Sequence, residues 1–272
     1  MSDQTITLPQ INLETTSSTI ITFIQSIISQ SQAKGVVIGL SGGVDSSLTA
    51  ALCVRALGPE RVLGILMPTL FTPLQDTMDA RALGKQLQIS TEYINIHPIS
   101  NVFKNQIIAA SSSSSLKKSL ANVRARIRMI LLYYYANMKD YLVAGTGDRS
   151  ETLIGFYTKY GDGGADFLPI GHLYKTHVRV LAQYLEIPPT ISDKPSSPQL
   201  YPGHKLSDEL PIDYPLIDRI LFGLIHLRLT SQEISQRLKL PLAVVQNIVD
   251  RIDQSAHKRN PLPVLSPEFL PE

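Results

Sequence analysis

The chain predicts an α/β fold: an open, mostly parallel, Rossmann-like sheet with helices on both faces. Two observations predict it. Apolar runs of strand length alternate with longer amphipathic stretches, with short connections between them, through roughly the first half of the chain, and that alternation implies parallel strands joined by right-handed crossovers. The first apolar run also ends on a glycine-rich hinge that leads straight into a helical stretch, and open sheets of this kind hold ligands outside the carboxyl ends of their strands. At 272 residues the chain is long enough for one large domain with its own core. A single domain over 1–272 is expected, with a helical C-terminal portion from about 213.

Residues 16–33 open on Ser and Thr cap candidates and carry isoleucines at helical spacing, so an amphipathic helix comes first. Val36 to Leu40 is a strand and Ser46 to Leu57 a helix; Val62 to Met67 is the next strand and Asp76 to Leu87 its helix. Thr91 to Ile96 and Ile99 to Ala109 repeat the pattern. The run Ser111–Ser115 offers nothing to bury and predicts a mobile loop. A long helix from about Leu116 to Met138 is apolar nearly all round through Ile130-Leu131-Leu132-Tyr133-Tyr134-Tyr135, which fits packing on the sheet or an added homodimer contact. Tyr141 to Gly145 is a further strand, after which glycine and charge dominate as far as Asp166. Ile187 to Pro215 is proline-rich without periodicity and predicts a long loop or lid. Helical periodicity returns over 213–254. Leu229 to Val249 has the outline of a helix-turn-helix, but a capping box between amphipathic helices gives the same outline, and the second segment is not basic.

Composition excludes several classes. The formal charge is +2 and no block of consecutive Lys and Arg exceeds two residues, so nothing points to nucleic acid. No apolar run reaches the ~20 residues that span a bilayer, and the N-terminus lacks the zones of a signal peptide, so a cytoplasmic protein without a membrane partner is expected. The single cysteine, Cys53, reads as core filler and excludes an internal disulfide or a paired-cysteine metal site.

The segment Gly39-Leu40-Ser41-Gly42-Gly43-Val44-Asp45-Ser46-Ser47 carries the clearest chemistry. Adjacent glycines let the backbone turn its N–H groups toward an anion, and the following helix adds its dipole. Asp45 would repel a phosphate on its own but fits if it holds a Mg²⁺ that the phosphates share. An ordinary strand-to-helix turn with a Ser cap explains the glycines and one serine, but not an acid among three hydroxyls. No Gly-Lys-Ser/Thr follows, so this is not a Walker A loop, nor is it GxGxxG. It resembles the SGGxDS pyrophosphate loop of the N-type ATP pyrophosphatases, which have an adenine nucleotide alpha hydrolase-like fold and cleave ATP between the α- and β-phosphates. The resemblance implies ATP contacts at Gly39, Leu40, Ser41, Gly42, Gly43, Val44, Asp45 and Ser46.

Four further blocks narrow the superfamily: Ala121-Asn122-Val123-Arg124-Ala125-Arg126-Ile127-Arg128-Met129; Gly145-Thr146-Gly147-Asp148-Arg149-Ser150-Glu151; Gly155-Phe156-Tyr157-Thr158-Lys159-Tyr160-Gly161-Asp162-Gly163-Gly164-Ala165-Asp166; and His257-Lys258-Arg259. In this order, with the turns Leu173-Tyr174-Lys175-Thr176 and Lys194-Pro195-Ser196, they resemble the NAD synthetases of the ammonia-dependent type.

Each block also has a plainer reading. On a helix, Arg124, Arg126 and Arg128 spread over about 200° and cannot share one face; the resemblance selects Arg126 as a contact to the dinucleotide, with Arg128 second and Arg124 an exposed charge. Glu151 is either a carboxylate at a helix start or, by resemblance, a second Mg²⁺ ligand beside Asp45, with Thr146 on ATP. The glycine-rich run to Asp166 is either a surface turn or, by resemblance, the place where Lys159 and Asp166 meet deamido-NAD, with Asp162 a candidate base for ammonia. Lys175 is implied to reach ATP phosphates as a point charge, and Ser196, where the family often has Thr, to offer a hydroxyl. His257 and Lys258, otherwise a surface pair, become substrate contacts, supplied across a dimer interface. Two departures bear on the site. Asp148 stands where many members have Asn or another residue, and Pro202 to Glu209 occupies the place of a Gly-Gln-x-x-Glu segment, with Pro211 for the glycine of the Leu-Gly-Ile-x-Tyr that follows, leaving Asp208 or Glu209 to supply the lid's acid.

The resemblance implies an enzyme that adenylates deamido-NAD with ATP, releases pyrophosphate and lets ammonia displace AMP to give NAD, with Mg²⁺ and without a protein nucleophile. Cys53 lies far from the start of the chain, where an N-terminal-nucleophile glutaminase would carry its cysteine, so no glutaminase domain is expected; a separate glutaminase stays open as the nitrogen source. The alternatives are another ATP-pyrophosphatase amide ligase with a different acceptor and a non-catalytic nucleotide-binding relative.

Overall fold

The computed structural model describes residues 5–107, 114–196, 201, 203 and 206–265. Among them are four parallel strands, β1 (Gly35–Gly39), β2 (Val62–Leu66), β3 (Ser90–Tyr93) and β4 (Tyr141–Val143), in the order β3-β2-β1-β4. α1 (Leu13–Ser31) precedes the sheet, α2 (Val44–Leu57) and α3 (Leu74–Gln86) make the first two crossovers, and α4 (His97–Ile107) and α5 (Ser114–Lys139) make the third. After β4 come α6 (Arg149–Ile154), α7 (Lys175–Tyr184), α8 (Pro189–Ser192), α9 (Tyr214–Ile225), α10 (Ser231–Leu238), α11 (Leu242–Gln254) and α12 (Ala256–Arg259). The strand order grows outward from β1 through β2 to β3, then returns to place β4 on the other side of β1. That reversal puts a topological switch point between β1 and β4, where the connections leave for opposite faces and open a crevice at the strand ends. The register is Val36↔Val62 on one side of β1 and Val36↔Leu142 on the other.

Alternation along β1 divides the core. Val36 and Ile38 pack with α1, α2 and α7, whereas Val37 packs with Leu63 and Ile65 of β2, Val143 of β4 and Ile127 and Ala136 of α5. Helices therefore cover both faces, and the inner strands read as continuous apolar runs because neither face meets water. β3 is an edge strand with all four residues exposed, which is why its sequence, Ser-Thr-Glu-Tyr, is the most polar of the set.

α1 starts earlier than expected. Its cap is Asn12, whose side chain accepts the Thr15 N–H at 2.9 Å. The Ser and Thr residues read as caps lie inside the helix, where Thr19 and Thr22 donate to carbonyls one turn back. Its Ile20, Ile24 and Ile28 form a buried stripe, each worth about 1.5–3 kcal/mol.

The stretch from 187 to 215 is not all loop. It contains α8, a 3₁₀ turn at Leu206–Asp208 and the start of α9, whose Pro215 sits in the first turn, where a missing N–H costs nothing. Ser111–Ser113, Pro202, His204 and Lys205 lie outside the described residues, while Ser114 already belongs to α5. The C-terminal helices build a third core from Ile217, Ile220, Leu221, Ile234, Val245 and Ile248, joined by Ile6, Ile154 and Tyr174. The capping box at Thr230 and Glu233 is present, and α11 spends its apolar face on this core. Among the described residues no helix is long and apolar enough to cross a membrane.

Candidate active site

The glycine-rich loop leaves β1 and enters α2 at the switch point. Gly42 has φ +78°, and a Cβ there would lie 2.2 Å from the Asp76 carbonyl oxygen, so glycine is required on two counts. Ser41 Oγ accepts the Gly43 N–H at 3.2 Å and faces Ser46 Oγ at 3.1 Å; the Ser46 and Ser47 hydroxyls donate to Gly43 O at 3.1 and 2.8 Å. These hydroxyls thus brace the loop against α2. No side chain caps α2, whose first-turn N–H groups lack acceptors within the helix and face the cleft mouth.

A cleft of about 320 Å³ opens here, lined by Gly39 through Ser46, Thr146, Glu151, Asp162 and Ser196 among the expected residues. Beneath it lies Lys175, the first residue of α7 and only 1% exposed. Its Nζ stands 2.7 Å from Asp45 Oδ1, 2.9 Å from Asp148 Oδ2 and 2.9 Å from Glu151 Oε1. The ammonium that the resemblance implies to reach ATP phosphates is shared here among three carboxylates. Asp148, read only as an added charge, is fully buried, caps α6 by accepting the Glu151 N–H at 2.8 Å, and is a member of the cluster. Three carboxylates against one ammonium leave two negative charges uncompensated. Removal from water, opposed by Lys175 and reinforced by the neighbouring acids, holds the Asp148 carboxyl at about 6 and raises that of Glu151 well above the usual range.

These residues fit a divalent cation. Among the described residues no group of three or more His, Cys, Asp and Glu is arranged to hold a metal by itself, and the space between these acids is taken by Lys175 Nζ. Mg²⁺, however, usually takes one or two carboxylates with phosphate and water oxygens. Asp45 and Glu151, 24% and 22% exposed at the side chain, line the cleft and can serve. The surplus negative charge is what such an ion offsets.

A second lysine, not singled out from the sequence, ties the far wall to the loop. Lys194 Nζ donates to Gly42 O at 3.0 Å and pairs with the buried Asp76 and Asp79 at 2.6 Å each. Its turn is held by Arg179, which donates to the carbonyls of Ser192 and Lys194 at 2.6 and 2.9 Å and to Ser196 Oγ at 3.2 Å. Tyr214 is another unforeseen member: it lines the cleft, its ring lies 5.0 Å from Lys175 Nζ, and its buried hydroxyl has no hydrogen-bond partner among the described residues.

Four of the five residues expected to hold the dinucleotide meet in one patch. Arg126 donates to Lys159 O at 3.2 Å, Lys159 Nζ donates to His257 O at 2.8 Å, and Lys258 Nζ donates to Gly155 O and Tyr157 O at 2.6 Å each. Within one chain, α12 thus reaches the 155–159 segment. Burial holds the Lys258 ammonium below its ordinary value. Asp166 lies apart from these contacts, accepting from Tyr133 OH at 3.0 Å and Val143 N–H at 2.7 Å. Asp162 accepts the Thr158 N–H at 2.9 Å in a cleft-lining turn. Arg128, ranked second to Arg126, is the arginine that lines the cleft, anchored on Met67 O at 3.1 Å. Arg124 is half-buried over the Phe71 ring at 5.0 Å, which corrects its reading as an exposed charge.

The profile of the NAD synthase family matches residues 16–262. The chain is 48% identical over 246 residues to a protein of Hyperthermus butylicus named NH(3)-dependent NAD(+) synthetase, an overlap of 90% of this chain and 88% of the other. Two solved structures align with it closely. The NMN synthetase from Francisella tularensis does so with a TM-score of 0.81 at 30% identity, over 96% of this chain and 100% of that one. The NH3-dependent NAD synthetase from Campylobacter jejuni does so with a TM-score of 0.78 at 33% identity, over 94% and 100%.

Proposed function

The chain belongs to the NAD synthase family, and from this we propose that it makes NAD from deamido-NAD, ATP and ammonia, with release of AMP and pyrophosphate. The observation that carries this reading is the meeting of Asp45 and Glu151, one from the first turn of the helix after β1 and one from the helix after β4, on a single ammonium beneath the cleft. In this reading the nicotinate carboxylate attacks the α-phosphorus of ATP and the bond to pyrophosphate breaks. Ammonia then adds at the activated carbonyl carbon, AMP leaves with the C–O electron pair, and the surplus proton passes to a base.

In this reading the N–H groups at the start of α2 meet the negative charge that gathers on the departing pyrophosphate, and Lys175 reaches the phosphates from beneath, once Mg²⁺ shares the carboxylates that now hold its ammonium. Asp45 and Glu151 are the residues that hold Mg²⁺, which when bound neutralises phosphate charge and orients the leaving group. Ser46, Thr146, Ser196 and Asp162 line the cleft; in this reading the first three meet ATP and Asp162 takes a proton from ammonium. Arg126, Lys159, His257 and Lys258 form a mostly cationic patch suited to the phosphates of a dinucleotide, and Asp166 meets the substrate separately, from beside β4. The partner we assign is a second copy of this chain: Ile130, Tyr134 and Met138 of α5 are 57%, 60% and 56% exposed at four-residue spacing, an apolar stripe a lone protomer leaves in water.

A second acceptor is favoured by one observation, the alignment with an NMN synthetase at a TM-score of 0.81. The deciding experiment incubates the protein with ATP, Mg²⁺ and ammonium and supplies deamido-NAD or nicotinate mononucleotide in parallel. Equal amounts of NAD and pyrophosphate from the first mixture establish the proposed reaction. Amide formed only from the mononucleotide shifts the acceptor, and neither product from protein that binds ATP leaves a nucleotide-binding relative.

A further inference from the structure

Asp218 sits in the middle of α9, fully buried, in a stretch that is apolar apart from its neighbour Arg219. Its Oδ1 accepts from Ser150 Oγ at 2.5 Å, and its Oδ2 accepts both the Thr176 N–H at 2.8 Å and Thr176 Oγ1 at 2.6 Å. Ser150 Oγ in turn accepts the Lys175 N–H at 2.9 Å. The opening N–H groups of a helix need acceptors from outside it, and α7 has none at its own cap, because Tyr174 makes no side-chain cap bond. The acceptors come from α9 and α6 instead. Ser150 and Thr176 are the chain neighbours of Glu151 and Lys175, whose side chains meet at 2.9 Å.

We propose that Asp218 is a positioning residue for the reaction: it joins the first turns of α6 and α7 so that Glu151 and Lys175 face each other beneath the cleft. It touches neither side chain and acts through Ser150 and Thr176. A buried carboxylate with three donors aimed at it costs desolvation that a leucine here would not, and the return is the alignment of two helix starts. The inference rests on the proposed reaction only for the choice of activity assay.

The test compares Asp218→Asn with the parent protein. The amide keeps one acceptor oxygen and turns an NH₂ toward a donor, so it cannot serve both Ser150 and Thr176. Hydrogen exchange at the Lys175 and Thr176 amides is expected to quicken about tenfold or more, while the amides of β1 hold. NAD formation is expected to lose about 10–100-fold in kcat, the range seen when an outer-shell partner is removed, with KM for ATP changed less than threefold. Thr176→Val should reproduce part of both effects and Thr176→Ser should restore them, which keeps the test valid if Asp218→Asn does not fold. Unchanged exchange at α7 in a folded variant overturns the proposal, as does faster exchange with unchanged kcat. A parent protein that forms no NAD removes the reaction assigned above, and the exchange arm then decides on the anchoring alone.

Discussion

Asp45 and Lys175 stand 130 positions apart in the chain and 2.7 Å apart in space. One lies in the first turn of the helix after the first strand and the other begins a helix well past the fourth, so their contact joins the two sides of the site.

Lys175→Met leaves three carboxylates without their ammonium. Breaking a buried ion pair from one side costs about 3–5 kcal/mol, and urea unfolding should show a loss of that order together with loss of NAD formation. Mg²⁺ should raise the melting temperature of this variant more than that of the parent, because the ion replaces the missing charge. Equal responses to Mg²⁺ would speak against Asp45 and Glu151 as its ligands.

Asp45→Asn has the opposite effect on stability. It removes one of three like charges crowded at Lys175, so the protein should melt no lower than the parent, while kcat falls by at least about a hundredfold. Glu151→Ala should also abolish turnover. Activity that survives either change would sink the metal assignment.

Gly42→Ala forces a side chain into a left-handed backbone position and against the Asp76 carbonyl. The conformation alone costs about 1–3 kcal/mol, and the contact is with backbone that cannot rotate away. A lower unfolding midpoint and weaker ATP binding by calorimetry are expected together; a variant that binds ATP normally would show that the loop has another shape.

Cys53 is fully buried, and burial pushes its thiol well above the ordinary value. A disulfide reagent should leave the native protein unmodified at neutral pH and label it once urea has unfolded it. Cys53→Ala should keep full activity and lose only the small packing contribution of one sulfur.

Tyr134→Glu or Ile130→Glu places a charge in the exposed stripe of α5. Light scattering after gel filtration should find the parent as a dimer and the variants as monomers with unchanged circular dichroism. A monomeric parent would refute the assembly.

What the sequence discloses depends on the range of the interaction. The loop from Gly39 to Ser46 is legible because its function is local: turn, hydroxyls and helix start all lie within a few residues. Asp148 carries a weaker local signal, an acid three places before Glu151 at a helix start, which accounts for its cap but not for its place beside Lys175. Lys194, Tyr214 and Asp218 carry almost none. Their partners lie 152, 39 and 68 positions away, at Gly42, Lys175 and Ser150, and only the folded chain brings each pair together. Helix boundaries slip for a related reason: in α1, Ser and Thr serve equally as caps or as donors to the preceding turn, and which role they take is settled by the buried isoleucine stripe.

The start of the chain is held by parts made much later. Ile6 is buried in the core of the C-terminal helices, its carbonyl accepts from Arg219 Nε at 2.7 Å, and Pro9 O lies 2.9 Å from His177 Nε2. On a ribosome, the whole sheet and the phosphate loop are therefore synthesised while this leading segment still has no seat. Its seat is shared between α7, through His177, and α9, through Arg219, and α9 also carries the carboxylate that bonds Ser150 and Thr176. A chain that stopped before α7 would carry the loop after β1 without the lysine that gathers its acids.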